Sequence, residues 1–410
     1  MKREKLLSIS LLMFAACMIL AHPSKAQDKT DEKQKTMDIY GFIMMDAGYN
    51  ANQIEPNWYD VVRPTKLPAF KNQYAPDGNF YFSVRQTRLG FKNYFQTPLG
   101  ELKTQFEFEM FGTGVDAGQT TIRLRHAYAE LGKFGVGQYW SPFMDIDVFP
   151  NTVEYWGPTG MAFFRNIQVR YMPIQGPTRL TIALERPGAS ADQGVYASHI
   201  ELGNVKPKFP VPDLSAEYRQ AFKWGYVELA GIVRYMKWED LDSTGPNLSG
   251  DAVGWGLNLS TNINLGKKVV FRGSVLYGEG VENYMNDAPV DVGIKTLAPG
   301  SNPPIKGVAL PLLGVVSFFD INWNDKFSSS IGYSMIDIHN SNGQEASAFK
   351  QGNYAIGNLM WYPVKNAMMG VEFQWGDRHN YTDGWTTSIS KVQFSFKYNF
   401  SQSFYKNSKD

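Results

Sequence analysis

The sequence predicts an all-β protein whose strands close into a transmembrane antiparallel β-barrel of about sixteen strands. Three observations predict it. The chain opens on an export signal, its remainder alternates apolar and polar residues with period two, and tight turns alternate with long polar loops.

Met1, Lys2, Arg3, Glu4 and Lys5 make a positive start, and an apolar stretch runs from Leu6 to Ala21 with Ser8 and Ser10 inside it. Ser24 and Ala26 then supply small residues at the −3 and −1 positions of a cleavage site. A cleavable signal peptide over 1–26 is expected, because the apolar stretch is short of the ~20 residues a spanning helix needs. The single cysteine, Cys17, falls inside it. Phe14-Ala15-Ala16-Cys17 puts Phe where a lipobox has an aliphatic residue, so the exported chain should carry no lipid anchor, thiol or disulfide.

Removing Lys2, Arg3, Lys5, Lys25 and Glu4 turns 40 cations against 39 anions into 36 against 38. A net charge near zero gives no global pull toward nucleic acid. Any preference for anions has to come from where arginines are placed. Mean hydropathy is −0.32 while aromatics reach 14%, a pairing unlike a helical membrane protein. It fits strands with one face to lipid and one to a polar lumen. A secreted carbohydrate-binding β-protein could share that composition, so pattern has to separate the two.

Leu102, Thr104, Phe106, Phe108 and Met110 alternate with Lys103, Gln105, Glu107 and Glu109. Near the end, Val392, Phe394, Phe396, Tyr398 and Phe400 alternate with Lys391, Gln393, Ser395, Lys397 and Asn399. The connections favour a barrel over a soluble sandwich, which has no reason to keep their order. Tight turns at 97–100, 132–133, 175–177, 223–225, 265–267, 324–326 and 364–366 lie between long polar stretches at 51–79, 141–165, 188–211 and 281–306. Short turns on one side and long loops on the other are the periplasmic and extracellular ends of an outer-membrane barrel.

Strands are expected near 37–50, 80–95, 100–112, 121–132, 134–143, 166–173, 178–187, 212–222, 225–240, 250–266, 267–280, 307–324, 326–340, 349–364, 366–380 and 386–400. The organisation is then a polar lead-in over 27–36, a barrel over 37–400 and a polar tail over 401–410. Tyr94, Phe95, Phe134, Phe222, Trp224, Tyr226, Trp323, Trp361 and Tyr362, all beside short turns, are expected to form the periplasmic aromatic girdle.

Arg85-Gln86-Thr87-Arg88-Leu89-Gly90-Phe91-Lys92 resembles an early strand of Gram-negative porins. A more specific block follows: Arg123-Leu124-Arg125-His126-Ala127-Tyr128-Ala129-Glu130, Gly135-Val136-Gly137-Gln138-Tyr139-Trp140-Ser141-Pro142-Phe143-Met144-Asp145, Tyr155-Trp156-Gly157-Pro158-Thr159-Gly160 and Arg165-Asn166-Ile167-Gln168-Val169-Arg170-Tyr171. These residues resemble the DcaP-like porins, and the motif match covers Phe80 to Pro173, about a quarter of the chain. The resemblance implies a homotrimer of sixteen-stranded barrels in the outer membrane, with an electropositive constriction passing small carboxylates. Two departures stand out. The segment 27–36 is too short and polar for the coiled-coil stalk some members carry. Porin chains usually end on an aromatic, whereas Phe400 is followed by Ser401 to Asp410.

Alternation assigns faces to the arginines. Ile122 and Leu124 take the lipid phase, which turns Arg123 and Arg125 inward; the same reasoning turns Arg88, Arg170 and Arg234 inward, and Arg272 on weaker grounds. Arg85 shares a phase with Leu89 and Phe91, leaving a bulge, the rim or a subunit interface open for it. A charge facing lipid at mid-membrane costs about 2–4 kcal/mol, so inward placement is favoured. The inward arginines could pair with Glu107, Glu109 and Glu185 and brace the wall, or could face water and concentrate anions. The segment 141–165, with Asp145, Asp147, Glu154, Tyr155 and Trp156, either folds inward as a constriction loop or caps the outside.

An enzyme is not expected. His126, His199, His339 and His379 stand in no catalytic spacing, and His126 is assigned to the lipid phase. No cofactor or metal motif is present. The expected function is passive diffusion of small anionic solutes; a non-conducting or adhesive barrel is the alternative, and an outer-membrane hydrolase a distant third.

Overall fold

The computed structural model describes residues 34–188, 200–242 and 244–406. The expected signal peptide, His199, most of the lead-in and the end of the tail lie outside the described residues.

The strands are β1 (Gln34–Asn50), β2 (Asn79–Ser83), β3 (Arg88–Thr97), β4 (Gly100–Phe111), β5 (Thr120–Leu131), β6 (Phe134–Trp140), β7 (Arg165–Ile174), β8 (Arg179–Glu185), β9 (Val205–Lys208) and β10 (Asp213–Phe222). They continue with β11 (Gly225–Asp240), β12 (Gly250–Leu265), β13 (Val269–Glu279), β14 (Val292–Thr296), β15 (Ile305–Ala309), β16 (Pro311–Asn324), β17 (Phe327–Ile338), β18 (Phe349–Trp361), β19 (Ala367–Asn380) and β20 (Thr386–Lys406).

Eighteen of these form one antiparallel sheet. β2 and β3 both pair with β1 and are halves of one interrupted strand; β9 and β10 both pair with β11 in the same way. Counted so, sixteen staves surround the lumen. The sheet closes where β1 meets β20, in a ladder from Gln34↔Lys406 to Asn50↔Lys391. Closure removes the sheet edges that hydrocarbon cannot solvate, which is why alternating strands can span a bilayer at all.

The alternation sets the faces as the sequence predicts. Ile43, Met45, Phe106, Val233, Leu257, Val275, Ile331 and Phe394 are exposed on the outside, while Glu107, Glu109, Arg234, Ser260 and Gln393 are buried within. Positive φ at Gly100 and Gly266 lets the periplasmic turns close in a few residues.

Several expectations are corrected. The strand expected from 307 begins instead at Pro311: residues 307–309 belong to β15, which pairs with β14 as a hairpin within the loop. β1 begins at Gln34 and β20 runs on to Lys406, so strand pairing takes up the end of the expected lead-in and the start of the expected tail. The girdle is thinner than expected. Phe95, Phe222, Trp224, Trp323 and Trp361 face out. Tyr94 and Tyr362, one residue from Phe95 and Trp361, and Tyr226, one residue from outward Val227 on β11, turn inward, where their hydroxyls reach Asp38, Ser328 and Asp145.

His126 does not face lipid. The β4–β5 register pairs Glu107 with His126 and Phe108 with Leu124, leaving Arg125 as the extra residue of a bulge. One inserted residue inverts the phase below it. Arg123, Arg125 and His126 therefore all turn inward, and His126 packs against Tyr139 and Trp140 with Nε2 3.9 Å from Glu107.

Candidate functional site

The segment between β6 and β7 runs across the barrel interior, held at both ends by the wall. At one end Asp145 accepts from Arg219 at 2.6 Å, from the Tyr226 hydroxyl at 2.7 Å and from Ser260 at 2.7 Å, so β10, β11 and β12 all grip it. Arg219 also holds Asp147 at 2.6 Å. At the other end the Glu372 carboxylate accepts from Thr152 Oγ1 and from the Val153 and Glu154 amides at 2.9, 3.1 and 3.2 Å. Apolar contacts fix the middle. Phe143, Met144, Val148 and Met161 pack on Leu276, Leu312, Val316, Phe318, Ile336 and Ile356, which β13, β16, β17 and β18 turn inward.

Glu154 locks this segment to the first extracellular loop. Its carboxylate accepts from the Val62 amide at 3.0 Å, the Gly157 amide and the Tyr354 hydroxyl at 3.3 Å. Burial pushes the Glu154 pKa up to about 7, opposed by Lys391 and reinforced by Glu372. The folded form thus binds a proton that the unfolded chain releases near pH ~4.5; the resulting stabilisation is complete below that pH and lost as pH rises through about 7. From about pH 5 to about pH 8 the wild type should lose roughly 1–3 kcal/mol of barrel stability that Glu154→Gln retains, measured as urea midpoints at both pH values. Equal pH dependence in the two proteins would contradict this.

Trp156 continues the lock. Its indole N–H donates to the Asn286 carbonyl at 2.8 Å, and the Arg63 guanidinium lies 4.1 Å from the rings of both Trp58 and Trp156.

Three of the five predicted arginines meet in one cluster. Arg88, Arg123 and Arg125 converge on Glu107 and Glu109: Arg88 at 3.7 and 3.1 Å, Arg125 at 2.6 and 2.7 Å, and Arg123 on Glu109. Tyr155 closes the cluster from the crossing segment. Its ring stacks on Phe111 at 3.9 Å and its hydroxyl touches Arg123, Arg125 and Glu109. Arg165 adds its field at Glu109.

The other two arginines lie elsewhere. Arg170 is buried against Tyr128 and Tyr139 and donates to Gln168 and to the Trp140 carbonyl. Arg234 is buried between Asp213 and Asp291, each at 3.0 Å. Arg85, left open by the sequence, is explained by the interruption at residues 84–87: freed from strand phase it turns inward, 2.7 Å from Asp60 and 3.8 Å over Phe111.

Arg179 and Arg219 were not anticipated. Arg179 reaches Glu217, Glu228 and Asp147 at 3.2, 2.9 and 4.0 Å. The signal was present, since Leu180, Ile182 and Leu184 place Arg179 on the inner phase and Leu214 with Tyr218 does so for Arg219. Below the main cluster, Lys92, Lys103, Tyr128 and Tyr139 line a recess of about 240 Å³ toward the periplasmic turns.

Known proteins match this architecture. The sequence matches the family described as "DcaP outer membrane protein" over residues 15–286. The crystal structure of the outer membrane channel DcaP of Acinetobacter baumannii is 21% identical with a TM-score of 0.72, covering 92% of this chain and 100% of that one. An anion-selective porin from Comamonas acidovorans is 10% identical with a TM-score of 0.57, covering 90% and 100%. Salmonella typhi OmpF is 12% identical with a TM-score of 0.55, covering 90% and 98%. No curated protein matches in sequence. With two thirds of the sequence matching one family and the whole barrel superposing on its channel, the chain belongs to the DcaP outer membrane protein family: it is an outer-membrane channel and not an enzyme.

Proposed function

We propose that this channel favours small polar anions, carboxylates among them, and that Arg88 and Arg123 with Tyr155 of the crossing segment form its selective constriction. One observation carries the reading. In most lumen ion pairs the guanidinium is the partner that meets water: Arg88 is 23% exposed above a fully buried Glu109, Arg179 28% above a fully buried Glu228, and Arg272 23% beside Asp320 at 9%. Each pair is neutral, but its positive end is the nearer one to a passing ion. A slightly negative chain can thereby present a positive lumen.

Asp147 is the counterweight. It is 49% exposed and pairs with Arg219 at 2.6 Å and Arg179 at 4.0 Å, so it brings the negative end of those pairs to the same water.

Buried Arg170 and Arg234, expected among the selecting residues, are better read as braces. Export with cleavage after Ala26 and assembly as a homotrimer complete the proposal, both resting on the sequence signal and the family resemblance. The test is reversal potential of the purified channel in a planar bilayer under a salt gradient. Anion preference is expected at low salt and should weaken at about 1 M, where the screening length falls to ~3 Å. Cation preference at low salt would end the anion reading while leaving the channel intact.

A further inference from the structure

We propose that the extracellular rim where β20 outruns β1 is a saccharide site, filled by the sugar headgroup of an outer-leaflet glycolipid. The β1–β20 ladder ends at Asn50↔Lys391, but β20 continues up to Thr386 and is paired there with β19 alone. Just above the ladder the first loop satisfies one more residue. The Ala51 amide donates to the Ser390 carbonyl at 2.9 Å, and Asn52 Oδ1 accepts from the Ser390 amide at 3.0 Å. Period two points the Ser388 amide and carbonyl the same way, and among the described residues nothing bonds to them on that side. They border a recess of about 340 Å³ between the β20 edge and the first loop.

The lining is rich in unused hydrogen-bonding groups and close to neutral. Asn52 and Gln53 commit their side-chain oxygens to the Ser390 and Tyr74 amides at 3.0 and 3.2 Å, which leaves the NH2 group of each as a donor. The side chains of Asn72, Thr386, Thr387 and Ser388 make no hydrogen bond among the described residues. Lys71 and Asp77 add one charge of each sign. Trp385 supplies an apolar plate and is held in place: its indole N–H donates to the Pro68 carbonyl at 2.9 Å and its amide to Asp383 at 2.8 Å. Free donors and acceptors around one fixed aromatic ring match a pyranose, which has hydroxyls on its edge and C–H groups on its face. An anion would meet no net positive charge here, so this recess is separate from the arginine path.

Height on the wall selects the source of the sugar. Ser388 shares the outward phase of Val392 and Phe394 and stands about 10 Å above Val392, at ~3.4 Å per residue and a tilt of ~40°. Below the recess, Tyr49 lies between Phe80 and Val392 in the two ladders, and Phe80 and Phe82 are 62% and 66% exposed. A polar recess above an apolar wall repeats the order of a glycolipid, sugar above acyl chains. A soluble glycan would use the recess and leave the wall unexplained. An extended peptide added to the β20 edge would find bonding positions only at Ser388 and Thr386, too few for strand addition.

Calorimetric titration of the full-length channel in mild detergent tests this, with lipopolysaccharide as one probe and the core oligosaccharide released from it as the other. Both should bind the wild type, the intact lipid more tightly. Trp385→Ala should weaken both about tenfold or more. Because Trp385 also holds Pro68, Ser388→Trp serves as the second variant: it fills the recess, removes no side-chain contact and should have the same effect. Phe82→Ala should weaken the intact lipid alone, and the reversal potential should stay at the wild-type value in all three variants. Lipopolysaccharide binding that survives both recess variants, or an oligosaccharide that does not bind, would overturn the sugar site. An oligosaccharide bound as tightly as the intact lipid would overturn the glycolipid as its source.

Discussion

Replacing Arg234 by alanine is expected to cost the barrel about 3–5 kcal/mol and to leave ion selectivity unchanged. Arg234 lies between Asp213 and Asp291 at 3.0 Å each, donates to the Gly280 carbonyl at 2.7 Å and is 1% exposed. Removing the cation leaves two carboxylates in a site with little water. The Tyr284 hydroxyl, 2.9 Å from Asp213, cannot supply the missing charge. The loss should appear as a lower urea midpoint for the lipid-reconstituted protein, while the reversal potential of folded channels stays at the wild-type value. A shifted reversal potential would return Arg234 to the conducting path; a loss below about 1 kcal/mol would mean that water reaches the pair.

The double variant Arg88→Ala with Arg123→Ala is expected to do the opposite, lowering anion preference several-fold with a smaller effect on stability. Both side chains keep contact with water, and Arg125 stays behind to hold Glu107 and Glu109 at 2.6 and 2.7 Å. Two unit charges ~5 Å apart interact by about 0.8 kcal/mol in bulk water and about 3 kcal/mol at an effective dielectric of ~20. A confined water column lies between these limits, and each 1.4 kcal/mol is about a tenfold change in ion occupancy. Reversal potentials of wild type and double variant at about 0.1 M salt provide the measurement. An unchanged anion preference would remove this cluster as the selecting element.

The contrast between these arginines marks where sequence reasoning stopped. Alternation places Arg88, Arg123, Arg170 and Arg234 on the inner face, because a strand has only two faces and one belongs to lipid. It assigns Arg125 inward too, but only the bulge explains how Arg125 and the adjacent His126 can both be there. A bulge is one extra residue without a composition of its own, so nothing in Leu124-Arg125-His126 announces it. The break that frees Arg85 is equally silent.

Strand number, strand order and the inside–outside assignment were legible because each follows from local alternation and turn chemistry, which a single chain carries in full. Another local signal was available but unused. Near-continuous apolar runs such as Leu312-Leu313-Gly314-Val315-Val316 indicate a wall buried on both faces, and here the crossing segment covers the inner one. What only the tertiary structure decided is which charges meet. Asp145 finds Arg219 across 74 positions of chain, and Thr152 finds Glu372 across 220. Whether an inward arginine braces the wall or faces water depends on such partners. Pairing of that range is set by how the barrel closes and where the long loop lands, a property of the whole fold that no segment of the sequence contains.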